Sequence, residues 1–220
     1  MLGKFTHWEE RLLPTLQEPL QNIFRELESI TPKVFFDIGA NTGLIAENVH
    51  ERFPDWDFYL FEPVKDYADY CSEKFKEHPN IKVFNAALSN FNGTTSISKC
   101  SSNLGYNTIS TLQDYGDKEE VITQTLDSFL EENNIKEIGF IKLDVEQYES
   151  YVIEGSKNYF SNCKSLPTII TEIGSQNGHP CWDRVCKMFE FLFSVGYNKY
   201  DYHNIHSATD ILLKPHYDRT

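Results

Sequence analysis

Three carboxylates stand where apolar, strand-like runs come to an end. Ile138-Gly139-Phe140-Ile141-Lys142-Leu143 reads as a largely buried strand that opens into Asp144, Glu146 and Glu149 within six residues. Thr168-Ile169-Ile170-Thr171 delivers a further acid, Glu172. In an open parallel sheet, ligands sit at the carboxyl ends of the strands, where the strand order reverses. A carboxylate there can take the proton of a hydroxyl, which is a poor nucleophile at neutral pH. Acids from two strand ends can also hold a magnesium ion through oxygen ligands. Asp144, Glu146 and Glu172 are therefore the candidate catalytic residues, with the metal-free reading preferred to the magnesium one. His179, His203 and His206 stand behind them, and Glu149 suits a helix first turn, where the macrodipole favours an acid.

A second stretch carries binding chemistry. Val34-Phe35-Phe36-Asp37-Ile38 runs into Gly39-Ala40-Asn41-Thr42-Gly43, and Leu44, Ile45 and Val49 then share one helix face. Glycines at 39 and 43 let backbone approach a ligand closely, in front of a helix N-terminus. Asp37 would repel a pyrophosphate but attract an ammonium group, and Asn41 stands where the dinucleotide fingerprint wants glycine. A ligand with an amino-acid end and a nucleoside end fits better, and S-adenosylmethionine is one. Asp57 to Phe61 reads as the next strand, and Glu62 at its end is placed to take ribose hydroxyls. Asn85 and Ala86, after the strand Ile81–Phe84, are placed to meet the adenine edge and to leave room for its ring. The candidate cofactor-binding set is thus Asp37, Gly39, Ala40, Asn41, Gly43, Glu62, Asn85 and Ala86, with Asp37 reaching the amino-acid end directly or through water.

The elements that must position these residues follow the order of a doubly wound α/β sheet, expected as seven mixed strands with helices on both faces. Thr6 and Glu9 have capping-box spacing before a short helix through Leu12 and Leu13, and Leu16, Leu20, Ile23, Phe24, Leu27 and Ile30 repeat at helical spacing. This extension over 1–30 reads as a helix packed on the sheet, with a lid or a dimer contact as the alternative. Residues 100–120 lack a sustained period and read as a polar substrate loop or a mobile one. Val121–Gln124 is a short strand, and Thr125 caps a helix in which Asp127 balances the dipole. Tyr197–Tyr202 and Thr209–Lys214 are expected as a closing antiparallel pair.

Composition bounds the function. A chain of 220 residues, 40% hydrophobic, suits one domain with a core over 33–215. A net charge of −13 without a basic cluster argues against nucleic acid and makes a neutral or cationic small substrate easier to hold. No apolar run approaches the roughly 18 residues of a membrane span. Five scattered cysteines without a C-x-x-C pair suit a reduced, cytoplasmic setting better than disulfides or zinc.

The order of motifs resembles class I S-adenosylmethionine-dependent methyltransferases, which are Rossmann-like, and more narrowly the FkbM-type family. The residues carrying the resemblance are Asp37 to Gly43, Phe61-Glu62-Pro63, Thr125-Leu126-Asp127-Ser128 and Ile141-Lys142-Leu143-Asp144-Val145-Glu146. Gln147 departs from the pattern, which usually has glycine after Asp-Val-Glu. The resemblance implies an O-methyltransferase acting on hydroxyls of sugars or of secondary metabolites. The rivals are a nicotinamide oxidoreductase, which would need pyrophosphate on the first turn, and a non-catalytic module on the same fold.

Overall fold

Phe35 and Phe36 are neighbours in one strand, both fully buried, and they point to opposite faces of the sheet. That is the signature of a strand covered on both sides. In the computed structural model, which describes residues 5, 9, 16–100, 106–109, 114–174, 178–205 and 207–216, six strands form the main sheet. They are β1 (Val34–Ile38), β2 (Asp57–Phe61), β3 (Ile81–Phe84), β7 (Phe140–Leu143), β8 (Thr168–Ile173) and β9 (Thr209–Leu213). Their order is β3-β2-β1-β7-β8-β9, all parallel except β9, which runs antiparallel to β8. The order reverses between β1 and β7, so the crevice for a ligand lies beyond their ends.

One face packs Phe36, Phe61, Ile141 and Leu143 against α4 (Leu126–Glu132), α5 (Glu149–Glu154), α6 (Lys157–Asn162) and α7 (Trp182–Val195) through Phe129, Val152, Phe160 and Phe189. The other packs Phe35, Phe58 and Phe140 against α1 (Gln17–Leu27), α2 (Leu44–Arg52) and α3 (Lys65–Lys74). The Phe35 and Phe140 rings stack at 5.4 Å. Truncating such a ring would cost about 3–5 kcal/mol. Leu20, Ile23 and Leu27 bury one stripe of α1 on this face, as their spacing predicts. Farther toward the N-terminus, Phe5 packs on Tyr67 with ring centroids 5.1 Å apart, and Glu9 meets Lys74 at 2.6 Å. Thr6, Leu12, Leu13 and His206 lie outside the described residues.

The sheet departs from the sequence reading in two places. Tyr197–Tyr202 does not form a seventh strand; pairing stops at one antiparallel bridge between Tyr197 and Pro215. Tyr202 instead turns in to stack on Phe189 at 4.8 Å, and burying that ring outweighs continuing an edge strand. The antiparallel closure is made by β9 on β8 alone. Residues 117–120, read as loop, begin β6 (Asp117–Gln124), which pairs with β5 (Gly93–Lys99) and β4 (Ala87–Leu88) in a small second sheet. Their charges are not a barrier to strand formation because Lys99 on β5 reaches Glu119 at 3.2 Å and Asp117 at 3.5 Å. Residues 101–105 and 110–113 of the polar stretch lie outside the described residues.

Candidate functional site

The turn after β1 is bound to its neighbours rather than open. Gly39 takes φ +82°, Asn41 +52° and Gly43 +73°, left-handed values that cost a side chain least when it is absent or an asparagine. The Gly39 and Ala40 N–H groups both donate to the Phe61 carbonyl at 3.0 Å, and the Gly43 N–H donates to the Ala40 carbonyl at 2.8 Å. The Asn41 N–H donates to Glu62 Oε2 at 2.8 Å. These four amides are spent on the protein itself and are not free to cradle a pyrophosphate, which counts against the dinucleotide reading.

Glu62 is buried at the end of β2, and its Oε1 accepts the Val64 N–H at 2.8 Å. Burial pushes its carboxyl up to about 8, against the pull of those two hydrogen bonds. In its ionised form the carboxylate offers about four lone-pair positions, so two remain for a ligand diol. Asn85 turns away from this position: its amide donates to the Glu62 and Pro63 carbonyls at 3.0 and 2.8 Å, joining the ends of β2 and β3. Ala86 and Ala87 are left to line the cavity.

Across the crevice, the chain after β7 makes a tight left-handed turn, with Glu146 at φ +54° and Gln147 at +73°. Glu149 holds it: Oε1 accepts the Val145 N–H at 3.1 Å and the Gln147 N–H at 3.3 Å. That is more than dipole compensation, since the same carboxylate fixes the loop that presents the acids. Thr108 donates to the Glu146 carbonyl at 2.7 Å, so the segment 106–109 is tied over the same loop. One carboxylate oxygen each from Asp144, Glu146 and Glu172 comes within 4.8 Å of the others. Burial first, then the negative charges of Asp144 and other nearby acids, push Glu146 up to about 8 and Glu172 up to about 7.

Gln147 explains why its position suits glycine. A left-handed conformation costs a side chain about 1–2 kcal/mol. Its buried Oε1 also lacks a hydrogen-bond partner among the described residues. Gln147→Gly is expected to stabilise the fold by about 1 kcal/mol, read as a higher melting temperature, after the greater unfolded-state freedom of glycine is set against the relieved strain. A lower melting temperature would mean that packing of the Gln147 stem near Gly174 outweighs the strain.

Both groups of residues line one cavity of about 430 Å³, with Gly39, Ala40, Asn41, Glu62 and Ala86 on one side and Asp144, Glu146 and Glu172 on the other. Leu16, Ile97, Tyr106, Asn107, Ile109 and Lys142 are among the other residues of its wall. Asp37 and Gly43 do not line it: Asp37 is fully buried beneath the turn, and Gly43 packs on Phe75 and Cys71. His179 Nδ1 accepts the Cys181 N–H at 3.2 Å, and His203 is exposed beside Tyr202; neither lines the cavity. Asp127 supports the scaffold by accepting the Asn158 and Tyr159 N–H groups at the start of α6, at 3.0 and 2.8 Å. The group that sequence reasoning passed over is Lys142, whose ammonium lies behind the turn. The signal for it was a lysine inside a run otherwise apolar enough to be buried, a position that demands a partner.

A family model described as Methyltransferase FkbM domain matches residues 37–199. No curated protein matches the sequence. Solved structures of similar fold include a putative caffeoyl-CoA O-methyltransferase from Staphylococcus aureus, at 14% identity and a TM-score of 0.54, covering 94% of this chain and 91% of that one. Another is StiE O-MT residues 961–1257, at 11% identity and a TM-score of 0.51, covering 87% of this chain and 56% of that one.

Proposed function

This chain belongs to the FkbM methyltransferase family, and from that premise we propose that it is an O-methyltransferase acting on a hydroxyl of a sugar or glycan, with a non-sugar metabolite as the alternative acceptor. The observation that carries the proposal is the convergence of Asp144, Glu146 and Glu172 on the cavity wall facing the glycine turn. The residues on that turn fit S-adenosylmethionine: Gly39 to Asn41 offer a side-chain-poor wall, Glu62 keeps lone pairs for the ribose diol, and Ala86 and Ala87 leave room for the base. Gly43 and Asp37 act from behind, through the shape and charge of the turn. The domain spans 33–215, with the helix α1 (Gln17–Leu27) preceding its first strand.

When bound, S-adenosylmethionine supplies an activated methyl group for in-line transfer to oxygen. The chain's own residues align the acceptor, and positioning can supply about 7–11 kcal/mol of a barrier. A Glu146 or Glu172 carboxylate accepts the hydroxyl proton, and burial places both groups near neutrality, where a base works best. Tyr106, 51% exposed on the cavity wall, offers an aromatic face to the acceptor.

The test is turnover with S-adenosylmethionine against a panel of sugar, phenol and amine acceptors, read by mass spectrometry and with magnesium and EDTA arms. A sugar O-methyl product supports the proposal, while methylation confined to phenol or amine acceptors overturns the sugar assignment. Loss of turnover in EDTA that magnesium restores would reassign the three acids as oxygen ligands. On the preferred acceptor, Tyr106→Ala is expected to raise the acceptor KM about tenfold while leaving the KM for S-adenosylmethionine nearly unchanged.

A further inference from the structure

Lys142 stands on β7 directly across from Asp37 on β1 in the parallel register. Its side chain is 11% exposed and that of Asp37 is 0% exposed. The Lys142 ammonium donates to the Gly39 carbonyl at 2.6 Å, and lies 3.2 Å from Asp37 Oδ1 and 3.5 Å from Asp144 Oδ2. An ammonium has three N–H groups, so these neighbours can occupy all of them. Among the described residues, no other cationic side chain lines the cavity.

The three neighbours belong to different parts of the site. Asp37 lies in the core, Gly39 on the cofactor turn, and Asp144 among the acids across the crevice. Burial of Asp37 explains why a cation is present, since an unpaired buried carboxylate is costly. It does not explain the other two contacts. Asp144 is 40% exposed and can be solvated by water, so the lysine is not needed to compensate its burial. What the lysine adds there is direction.

The Gly39 turn is likewise held from both sides. Its N–H and that of Ala40 are drawn to Phe61 on β2, while its carbonyl is drawn to Lys142 on β7. We infer that Lys142 is a positioning residue that couples the two halves of the site, fixing the Gly39 carbonyl and the Asp144 carboxylate in one arrangement. This inference rests on the methyltransferase reading above. Asp37 then serves the amino-acid end of the cofactor indirectly, by holding the lysine that holds the turn.

The experiment compares wild type, Lys142→Met and the double variant Asp37→Asn/Lys142→Met by thermal unfolding and by calorimetric titration with S-adenosylhomocysteine. Lys142→Met strands the Asp37 carboxylate and lowers the melting temperature. The double variant removes both buried charges, and its melting temperature returns most of the way to wild type. Its affinity for S-adenosylhomocysteine nonetheless stays about tenfold or more below wild type, because the Gly39 carbonyl and Asp144 have lost their shared charged donor. A double variant that recovers both melting temperature and affinity would reduce Lys142 to a structural counter-charge and overturn the inference. Wild-type protein that is folded yet binds no S-adenosylhomocysteine would instead overturn the methyltransferase reading beneath it.

Discussion

Gly39→Ala is expected to abolish measurable S-adenosylhomocysteine binding and to lower the stability of the fold by several kcal/mol. A Cβ at Gly39 would lie 1.9 Å from the Asp144 carbonyl oxygen, 3.0 Å from the Asp144 carbonyl carbon and 3.2 Å from Val145 Cγ1. The obstacle is backbone, which cannot rotate away as a side chain would. Nor is that backbone free to slide, because the Asp144 N–H donates to the Ile38 carbonyl at 3.1 Å. The backbone angle of +82° adds about 1–2 kcal/mol of strain for any side chain. Relief can come only by prising apart the chains that leave β1 and β7, and their separation sets the width of the crevice. Gly116→Ala is the control, since Gly116 has φ +83° and nothing within 4 Å of an added Cβ. It should show the strain in its melting temperature and leave binding intact. Binding by Gly39→Ala within about threefold of wild type would remove the turn from the cofactor site.

The strand ends were legible because each is an abrupt change of character. Apolar runs give way to an acid at Asp37, Glu62, Asp144 and Glu172, each within a residue or so of where its strand ends, because charge is costly to bury without a partner. What such a signal cannot tell is which way the acid faces. Asp37 and Glu62 both stand at the carboxyl ends of apolar strands, yet Asp37 is sealed under the turn while Glu62 lines the cavity. The difference lies in Lys142, and its register opposite Asp37 joins strands far apart in the chain. Asn85 was expected to meet the adenine edge, but it does not line the cavity, and its amide is consumed by the Glu62 and Pro63 carbonyls, a choice made by local backbone geometry. Thr108 shows the same limit from the other side. In a stretch without periodicity it is buried, and its hydroxyl bonds the Glu146 carbonyl. The missing seventh strand was lost to tertiary packing, because alternation at 197–202 competes with a pocket for the Tyr202 ring that only the folded α7 provides.

Glu146→Gln is expected to lower kcat by about a hundredfold to ten-thousandfold while leaving S-adenosylhomocysteine affinity near wild type. The carboxylate can take a proton only when ionised, and burial with the charges of Asp144, Glu172 and Glu149 holds it up to about 8 while Lys142 pulls the other way. Wild-type turnover should therefore rise with pH through the neutral range and level off above about 8. Glu172→Gln removes one of the negative charges that hold Glu146 up, so any residual rising limb should move to lower pH. If Glu172 is the base instead, it is the Glu172→Gln variant that loses turnover, and Glu146→Gln keeps most of its own. Stability separates a chemical loss from a structural one. In the folded state Glu146 holds its proton to a higher pH than in the unfolded chain, so from about 4.5 to about 8 folding takes up a proton and stability falls as pH rises. Glutamine removes that penalty. The variant should thus melt higher than wild type at pH 8, with little of that advantage at pH 5, although it turns over far more slowly at both. A variant less stable at pH 8 and inactive in proportion would mark Glu146 as a scaffold residue. Greater alkaline stability with lost turnover is what a buried base gives, since the free energy spent keeping a carboxylate poised for proton transfer is withdrawn from the fold.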